Sequence, residues 1–198
     1  MRFQKSWIIL GLVAIVLVGL YVKGVFVPTN VTPTAPQETT GLKTNMTPDL
    51  TIDSNGLSKA TATLTTTKGV VKFKFYTQDA PATVKRIVEL INSGYYNGLT
   101  FHRVVPGFVV QGGDPTGTGS GGSGQKLKAE FNDRKHMLGA IAMARTADPN
   151  SADSQFYITL GTHPHLDHQY TVFGQVTEGM EVVQKIQMGD KMTTVTIE

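Results

Sequence analysis

The chain has 198 residues, 40% of them hydrophobic, which is enough for one domain with a sizeable core plus further segments. Its 18 lysines and arginines against 15 aspartates and glutamates give a net charge of only +3, so a broad basic face for nucleic acid is not indicated. The absence of cysteine excludes disulfides, cysteine zinc sites and thiol catalysis.

Residues 1–27 have the features of a targeting segment. Arg2 and Lys5 precede an uncharged run over residues 6–22, rich in Ile, Leu and Val, which Lys23 ends. The run is at the short end for a spanning helix, about 17–25 residues, and long for the apolar region of a cleaved signal, about 7–15 residues. We expect an uncleaved signal-anchor, with a cleaved signal peptide and secretion as the alternative. The basic residues before the run favour an N-terminus in the cytoplasm and a membrane-tethered domain outside it.

Residues 28–59 are predicted to be a flexible linker. Four prolines alternate with many threonines there, and large apolar residues are scarce. Such a composition buries too little surface to offset the entropy of ordering, and its prolines favour an extended tether. We therefore place the folded domain at residues 60–198.

The folded part begins with a predicted hairpin and helix. Strands over residues 60–66 and 70–76 flank a turn at Lys68-Gly69, and the second strand alternates apolar and lysine side chains. Asp79-Ala80-Pro81 is typical of a helix start. Residues 84, 87, 88 and 91 then form one apolar stripe, which predicts a core-facing helix that ends near Gly94.

Residues 101–115 read Phe-His-Arg-Val-Val-Pro-Gly-Phe-Val-Val-Gln-Gly-Gly-Asp-Pro. This segment places a permanent cation, Arg103, among apolar residues, with a turn at Pro106-Gly107. A half-buried arginine needs either a partner or a function. Taken alone, the pattern fits an arginine paired with a carboxylate beside a core strand.

Residues 116–124 form a glycine- and serine-rich stretch that contains the spacing Gly-x-Gly-x-x-Gly. A dinucleotide site would require this pattern between a strand and an apolar helix. Asp114-Pro115 precedes it and Gln125-Lys126 follows, so we expect a mobile surface loop instead.

The C-terminal third predicts two strands, a helix and a closing strand. The two strands cover residues 138–145 and 154–160, and the helix covers 179–187 with an apolar stripe at Met180, Val183 and Ile186. Residues 193–197 form the last strand. Periodicity alone indicates about six strands in the whole chain.

The segment 101–115 closely resembles the signature of the cyclophilin family of peptidyl-prolyl cis-trans isomerases. Gly-x-x-x-Met-Ala at 139–144, Ser-Gln-Phe at 154–156, Leu-Asp at 166–167 and Thr-Val-Phe-Gly-Gln-Val at 171–176 resemble further family blocks. The resemblance runs from about residue 60 to the end. It implies a mainly β fold, a closed antiparallel eight-stranded barrel capped by two helices, in which loop 116–124 flanks the substrate groove.

The family resemblance implies a reaction at X-Pro bonds, with no cofactor, metal or covalent step. Arg103 would donate a hydrogen bond to the proline nitrogen when the bond is twisted. The residues implied to be catalytic are Arg103, Gln111, Phe108 and His102. Those implied to bind substrate are Val109, Ala144, Arg145, Gln155, Phe156, Tyr157, His165, Leu166 and Tyr170.

Several of these positions depart from the family pattern. Val109 stands where methionine is common, Arg145 where a small polar residue is common, and Tyr157 where phenylalanine is usual. His165 and Tyr170 replace a frequent tryptophan and histidine. The missing tryptophan predicts weak or absent cyclosporin binding, the extra arginine adds charge at the rim, and the Tyr157 hydroxyl needs a partner.

Two interpretations of the histidines and two of the function remain. His163, His165 and His168 could gather a metal, although three loop histidines without a second cluster are more often surface residues. His136 stands alone and is expected to be structural or exposed.

The function is either an exported foldase acting on proline-containing polypeptides or a binding module of the same fold without turnover. In both cases we expect a monomer and no nucleic-acid partner.

Overall fold

The computed structural model describes residues 59–198. The predicted signal-anchor over 1–27 and all but the last residue of the predicted linker over 28–59 lie outside this part of the chain. Among residues 59–198, no helix is both long enough and apolar enough to cross a membrane.

Residues 59–198 form one curled antiparallel sheet of eight strands in the order β3-β4-β6-β5-β7-β2-β1-β8. This number is the one that the family resemblance implied. The strands are β1 (Thr61–Thr66), β2 (Gly69–Phe75), β3 (Arg103–Val105), β4 (Val109–Gly112), β5 (Ala140–Met143), β6 (Phe156–Thr159), β7 (Val172–Glu178) and β8 (Met192–Ile197).

The predicted hairpin is confirmed as β1 and β2, which pair from Thr61 opposite Lys74 to Thr66 opposite Gly69. In β2, Val71, Phe73 and Phe75 are buried, while Lys74 is exposed. The alternation in the sequence therefore reports which face of the strand meets the core.

The eight strands curl into a sheet whose two end strands, β3 and β8, are joined by no ladder of hydrogen bonds. Main-chain hydrogen bonds at this seam join the segment before β3 to the first residue of β8. The Gly98 amide donates to the Met192 carbonyl at 2.7 Å, and the Met192 amide donates to the Leu99 carbonyl at 2.8 Å. The three-residue strand β3 begins only after this bridge, which leaves it as an edge strand.

Helix α1 (Pro81–Asn92) confirms the prediction for the first helix. Its stripe of Val84, Ile87, Val88 and Ile91 is buried in the core. Ile87 and Ile91 face a very small cavity lined by side chains of the sheet, so α1 covers the interior on that side.

The second predicted helix, over residues 179–187, is shorter than expected. Helix α2 spans only Met180–Val183. Beyond it the Lys185 amide donates to Val182 and the Ile186 amide to Val183, and this three-residue spacing replaces the α-helical spacing. Val183 and Ile186 are nevertheless buried, so the apolar stripe was correct although the helix length was not.

Strands β5 and β6 are each shorter than the predicted segments, 138–145 and 154–160. All four residues of each strand are buried. Gly139 has φ +79°, a left-handed conformation that delays the start of β5.

Candidate active site

The hairpin of β3 and β4 places the central residues of the 101–115 segment. In its register Arg103 lies opposite Gln111, and Val105 lies opposite Val109. The turn between the strands is closed by the Phe108 amide, which donates to the Val105 carbonyl at 3.0 Å, and Gly107 adopts φ +70°. This tight turn places the Phe108 ring beside the side chain of Arg103.

A groove of about 190 Å³ opens beside this hairpin. Three further segments complete it: the residues just after β5, strand β6 and the loop before β7. Every residue that lines it was among the predicted site residues. They are Arg103, Phe108, Val109, Gln111, Ala144, Arg145, Tyr157, Leu166 and Tyr170.

Arg103 is exposed rather than half-buried, because β3 is an edge strand. Its Nη1 donates to Gln111 Oε1 at 3.2 Å, and its guanidinium carbon lies 5.7 Å from the centroid of the Phe108 ring. Within residues 59–198 it forms no ion pair with a carboxylate. The pairing that the pattern alone suggested is therefore wrong, and the remaining N–H groups of the guanidinium are available to a ligand.

A chain of amide hydrogen bonds holds Gln111. Its Nε2 donates to Gln155 Oε1 at 2.9 Å. Gln155 Nε2 in turn donates to the carbonyls of Gly119 and Gly121 at 2.9 and 2.8 Å. The glycine-rich loop is thus connected to Arg103 through two side chains.

The Asp114 carboxylate holds the glycine-rich loop in place through hydrogen bonds to its amides. The carboxylate accepts hydrogen bonds from the Thr116 amide at 2.7 Å, from the Thr118 amide at 3.1 Å and from the Gly121 amide at 3.2 Å. Burial by itself raises the pKa of Asp114, but hydrogen bonds from the hydroxyl and amide of Thr116 and from the amides of Gly121 and Gly119 outweigh it and lower the pKa to about 2.

A second pocket of about 330 Å³ lies next to the groove. It is lined by the glycine-rich loop, Lys126, Asp153 and Gln155. The two pockets share Gln111, Ala144 and Arg145 in their walls, so they lie side by side.

The Tyr157 hydroxyl forms a hydrogen bond with His136. His136 is 1% exposed, so of the two alternatives, structural or exposed, it is the structural one. His136 Nε2 lies 2.9 Å from the hydroxyl, and His136 Nδ1 lies 3.0 Å from Asp167 Oδ1. Since a carboxylate only accepts, the imidazole proton sits on Nδ1 and the hydroxyl donates to Nε2. Burial lowers the pKa of His136, and the hydrogen bond to Asp167 opposes this only in part. Burial also raises the pKa of Tyr157 above its ordinary value.

Four predicted site residues do not line the groove. Gln155 faces the second pocket, and Phe156 is buried in the core, where it packs against Tyr96. His165 stacks on the Phe108 ring at 6.1 Å between centroids. His102 lies beneath the loop near Gly119, and burial lowers its pKa. The structure therefore does not bring His102 to the groove.

The three clustered histidines do not converge. His163 Nε2 lies 3.1 Å from the Phe108 carbonyl oxygen, whereas His168 lies beside Lys135 and Asp133. Within the described range, no group of three or more His, Cys, Asp or Glu side chains is arranged to hold a metal.

The sequence analysis assigned no partner to His136 and no role to Asp114 or to the pocket residue Lys126. His136 and Asp167 are 31 residues apart, so neither local spacing nor residue type could have linked them. Asp114 could have been suspected, because an acid just before a glycine-rich loop has many free amides within reach.

The groove can hold a small apolar ring of a ligand, with a fixed hydrogen-bond donor beside one edge of that ring. Phe108, Val109, Tyr157 and Leu166 supply apolar walls, and Arg103 supplies a permanent cation with several N–H groups. Such a site suits a reaction whose transition state gains a basic lone pair beside a ring.

Residues 61–198 match the family model described as cyclophilin type peptidyl-prolyl cis-trans isomerase/CLD. A peptidyl-prolyl cis-trans isomerase of Synechococcus elongatus is 46% identical over 138 residues, which cover 69% of this chain and 94% of that protein. Peptidyl-prolyl cis-trans isomerase B of Bacillus subtilis is also 46% identical, over 65% of this chain and 90% of its own. The crystal structure of a Cryptosporidium parvum cyclophilin type isomerase in the presence of the dipeptide Ala-Pro superposes with a TM-score of 0.66 at 30% identity, covering 70% of this chain and 98% of that one.

Proposed function

Since the chain belongs to the cyclophilin family and is a peptidyl-prolyl cis-trans isomerase, we propose that it accelerates X-Pro rotation in proteins that fold outside the cytoplasm, with Arg103 as the catalytic donor. Proteins of this family bind proline-containing peptides. The groove beside β3 and β4 is the proposed binding site for the proline ring.

The proposed mechanism follows from the electronic structure of the peptide bond. Rotation is opposed by about 18–20 kcal/mol because the nitrogen shares its lone pair with the carbonyl. In the twisted transition state this sharing is lost, and the proline nitrogen regains a basic lone pair. A donor fixed beside that nitrogen stabilises the transition state more than either planar ground state, which lowers the barrier.

One observation carries this assignment. Arg103 lies on the rim of a groove of about 190 Å³ with one N–H group held by Gln111 and no carboxylate partner in the described range. An arginine cannot take up a proton from the substrate at neutral pH, so it acts as a donor and not as a base. The apolar walls hold the proline ring while the acyl side of the bond rotates.

The extracytoplasmic location is supported by the sequence of residues 1–27. Arg2 and Lys5 precede the apolar run over 6–22, and the proline-rich residues 28–59 would tether the domain beyond the membrane. Protease added to the outside of intact spheroplasts should degrade the domain. Protection until the membrane is broken would contradict this location.

The experiment for the activity is exchange NMR on an Ala-Pro tetrapeptide with the full chain in a mild detergent. We expect Arg103→Ala to lose about 100- to 1000-fold in kcat/KM, the usual cost of removing a transition-state donor. Arg134→Ala, which removes an arginine outside the groove, is the matched control. If Arg103→Ala keeps normal exchange, the proposed mechanism is wrong. Wild type that binds the peptide without accelerating exchange would instead indicate a binding module.

A further inference from the structure

The described range contains four arginines, and their partners divide them into two pairs. Arg86 lies 3.3 Å from Glu89, and Arg134 lies 2.9 Å from Asp79, so carboxylates neutralise both. Arg103 and Arg145 form no ion pair within residues 59–198. These two line the same groove.

The guanidinium of Arg145 is held in place by neutral acceptors. Its Nε and Nη2 donate to the Gln169 carbonyl at 3.0 and 2.9 Å, and its Nη1 donates to the Thr146 carbonyl at 2.8 Å. The guanidinium also lies 4.7 Å from the centre of the Tyr170 ring. These contacts fix the cation without neutralising it, so little further entropy is lost when an anion meets it.

Arg145 lies between the two pockets. It lines both the groove beside β3 and β4 and the neighbouring pocket. An extended peptide advances about 3.3–3.6 Å per residue. A segment with its proline in the groove and its chain crossing the second pocket therefore carries a nearby residue past this guanidinium.

The walls of the two pockets carry an excess of positive charge. The cations are Arg103, Lys126 and Arg145, and the one acidic side chain lining either pocket is Asp153. The Asp153 carboxylate already accepts hydrogen bonds from the amides of Ser123 and Gly124 at 2.7 and 3.0 Å. A peptide in the groove thus meets a net positive surface at Arg145.

We propose that this site selects X-Pro segments with an aspartate or glutamate within two residues of the proline, and that Arg145 is the specificity-determining residue. The inference rests on the proposed function of the groove. Because the interaction is partly exposed to solvent, it amounts to a preference of about two- to fivefold and weakens as salt increases.

The test uses the full chain and capped hexapeptides with one central Ala-Pro. Glu, Gln or Lys occupies either the second position before the proline or the second after it. Exchange NMR gives kcat/KM, and chemical-shift titration of the same peptides gives Kd. Wild type should prefer Glu over Gln and Gln over Lys at one of the two positions at least, more strongly at low salt.

Three variants assign the preference to Arg145. Arg145→Gln should remove most of it, Arg145→Glu should reverse it, and Arg145→Lys should restore part of it. Arg134→Gln changes the net charge equally but lines neither pocket, so it should keep the wild-type order. Equal values for Glu and Lys peptides in wild type, or an unchanged preference in Arg145→Gln, would overturn the inference.

The two proposals fail in different ways. If wild type accelerates none of the peptides, the proposed function fails, and the Kd values alone then decide the charge preference. If wild type accelerates the Gln peptides and ranks Glu and Lys equally, the function stands and the selectivity is wrong.

Discussion

Arg103 and Gln111 lie directly opposite each other on β3 and β4, and the Arg103 Nη1 donates to the Gln111 Oε1 at 3.2 Å. The pairing fixes an exposed arginine on an edge strand, where its side chain would otherwise sample many rotamers. Catalysis by a fixed donor depends on such positioning, since misplacement of a catalytic group by about 1 Å can cost 100-fold in rate.

We therefore expect Gln111→Leu to lower kcat/KM for an Ala-Pro peptide by about tenfold, the kinetic equivalent of one lost hydrogen bond of about 1.4 kcal/mol. Exchange NMR measures the effect. Gln155→Leu is the matched comparison, because it removes the next link of the chain and leaves the Arg103 contact intact. It should lose less than Gln111→Leu, and the opposite order would contradict the positioning role.

Asp114→Asn should destabilise the glycine-rich loop. The carboxylate accepts several amide hydrogen bonds, and an asparagine can replace only one of its two oxygens. We expect a loss of about 1–3 kcal/mol in the free energy of unfolding, measured by urea denaturation at pH 7. Amide hydrogen exchange should accelerate more within residues 116–121 than in α1, whose amides report only the loss of global stability.

The lowered pKa of Asp114 predicts that the protein loses stability in acid. This pKa is about 2 in the folded protein and 3.8 as the ordinary value, so the unfolded chain takes up the proton first. The stabilisation from Asp114 is therefore complete above about pH 4 and is lost as the pH falls through about 2. Denaturation from pH 5 to 2 should show a shallower loss for Asp114→Asn than for wild type, and parallel curves would contradict the assignment.

Tyr157→Phe should affect stability more than activity. The ring that lines the groove remains, but His136 Nε2 loses its buried partner. We expect a loss of about 1–3 kcal/mol in unfolding free energy and a kcat/KM within about twofold of wild type. A large loss of activity with unchanged stability would show that the hydroxyl reaches the substrate instead.

His136 predicts a second acid-dependent contribution at higher pH. Burial places its folded-state pKa below the ordinary value of 6.5, so the unfolded chain binds the proton more tightly. Stability from this group is present above about pH 6.5 and declines as the pH falls below it. The His136→Gln variant should be less stable at pH 7.5 and should lose less stability between pH 7.5 and 5.

Gly113→Ala tests the close contact between Gly113 and the main chain of Ser154. Gly113 has φ +87°, and a Cβ there would press against the carbonyl of Ser154. Gly124 has nearly the same angle, φ +86°, but a Cβ at that position would have no neighbouring atom within 4 Å, so Gly124→Ala isolates the backbone cost. We expect about 1–2 kcal/mol for Gly124→Ala and at least about 2 kcal/mol more for Gly113→Ala. Equal losses in thermal unfolding would show that the contact relaxes.

Local periodicity predicted the elements whose pattern lies within one stretch of chain. The hairpin of β1 and β2 followed from alternation, and α1 followed from the stripe of Val84, Ile87, Val88 and Ile91. Strands β5 and β6 were harder to delimit, because they are buried on both faces and show no alternation. The end of α2 depended on a switch to three-residue hydrogen bonds, for which apolar spacing carries no signal.

Residue types in a fixed order were enough to predict the family, the Arg103 segment and the residues that line the groove. The order of residues did not reveal which groups meet: Gln111 with Gln155, His136 with Tyr157 and Asp167, and Arg145 with carbonyls instead of a carboxylate. These partners lie from 21 to 44 residues apart, or are main-chain atoms that every residue carries. These groups come within hydrogen-bonding distance only when the sheet folds, because no local conformational preference of the chain brings them together.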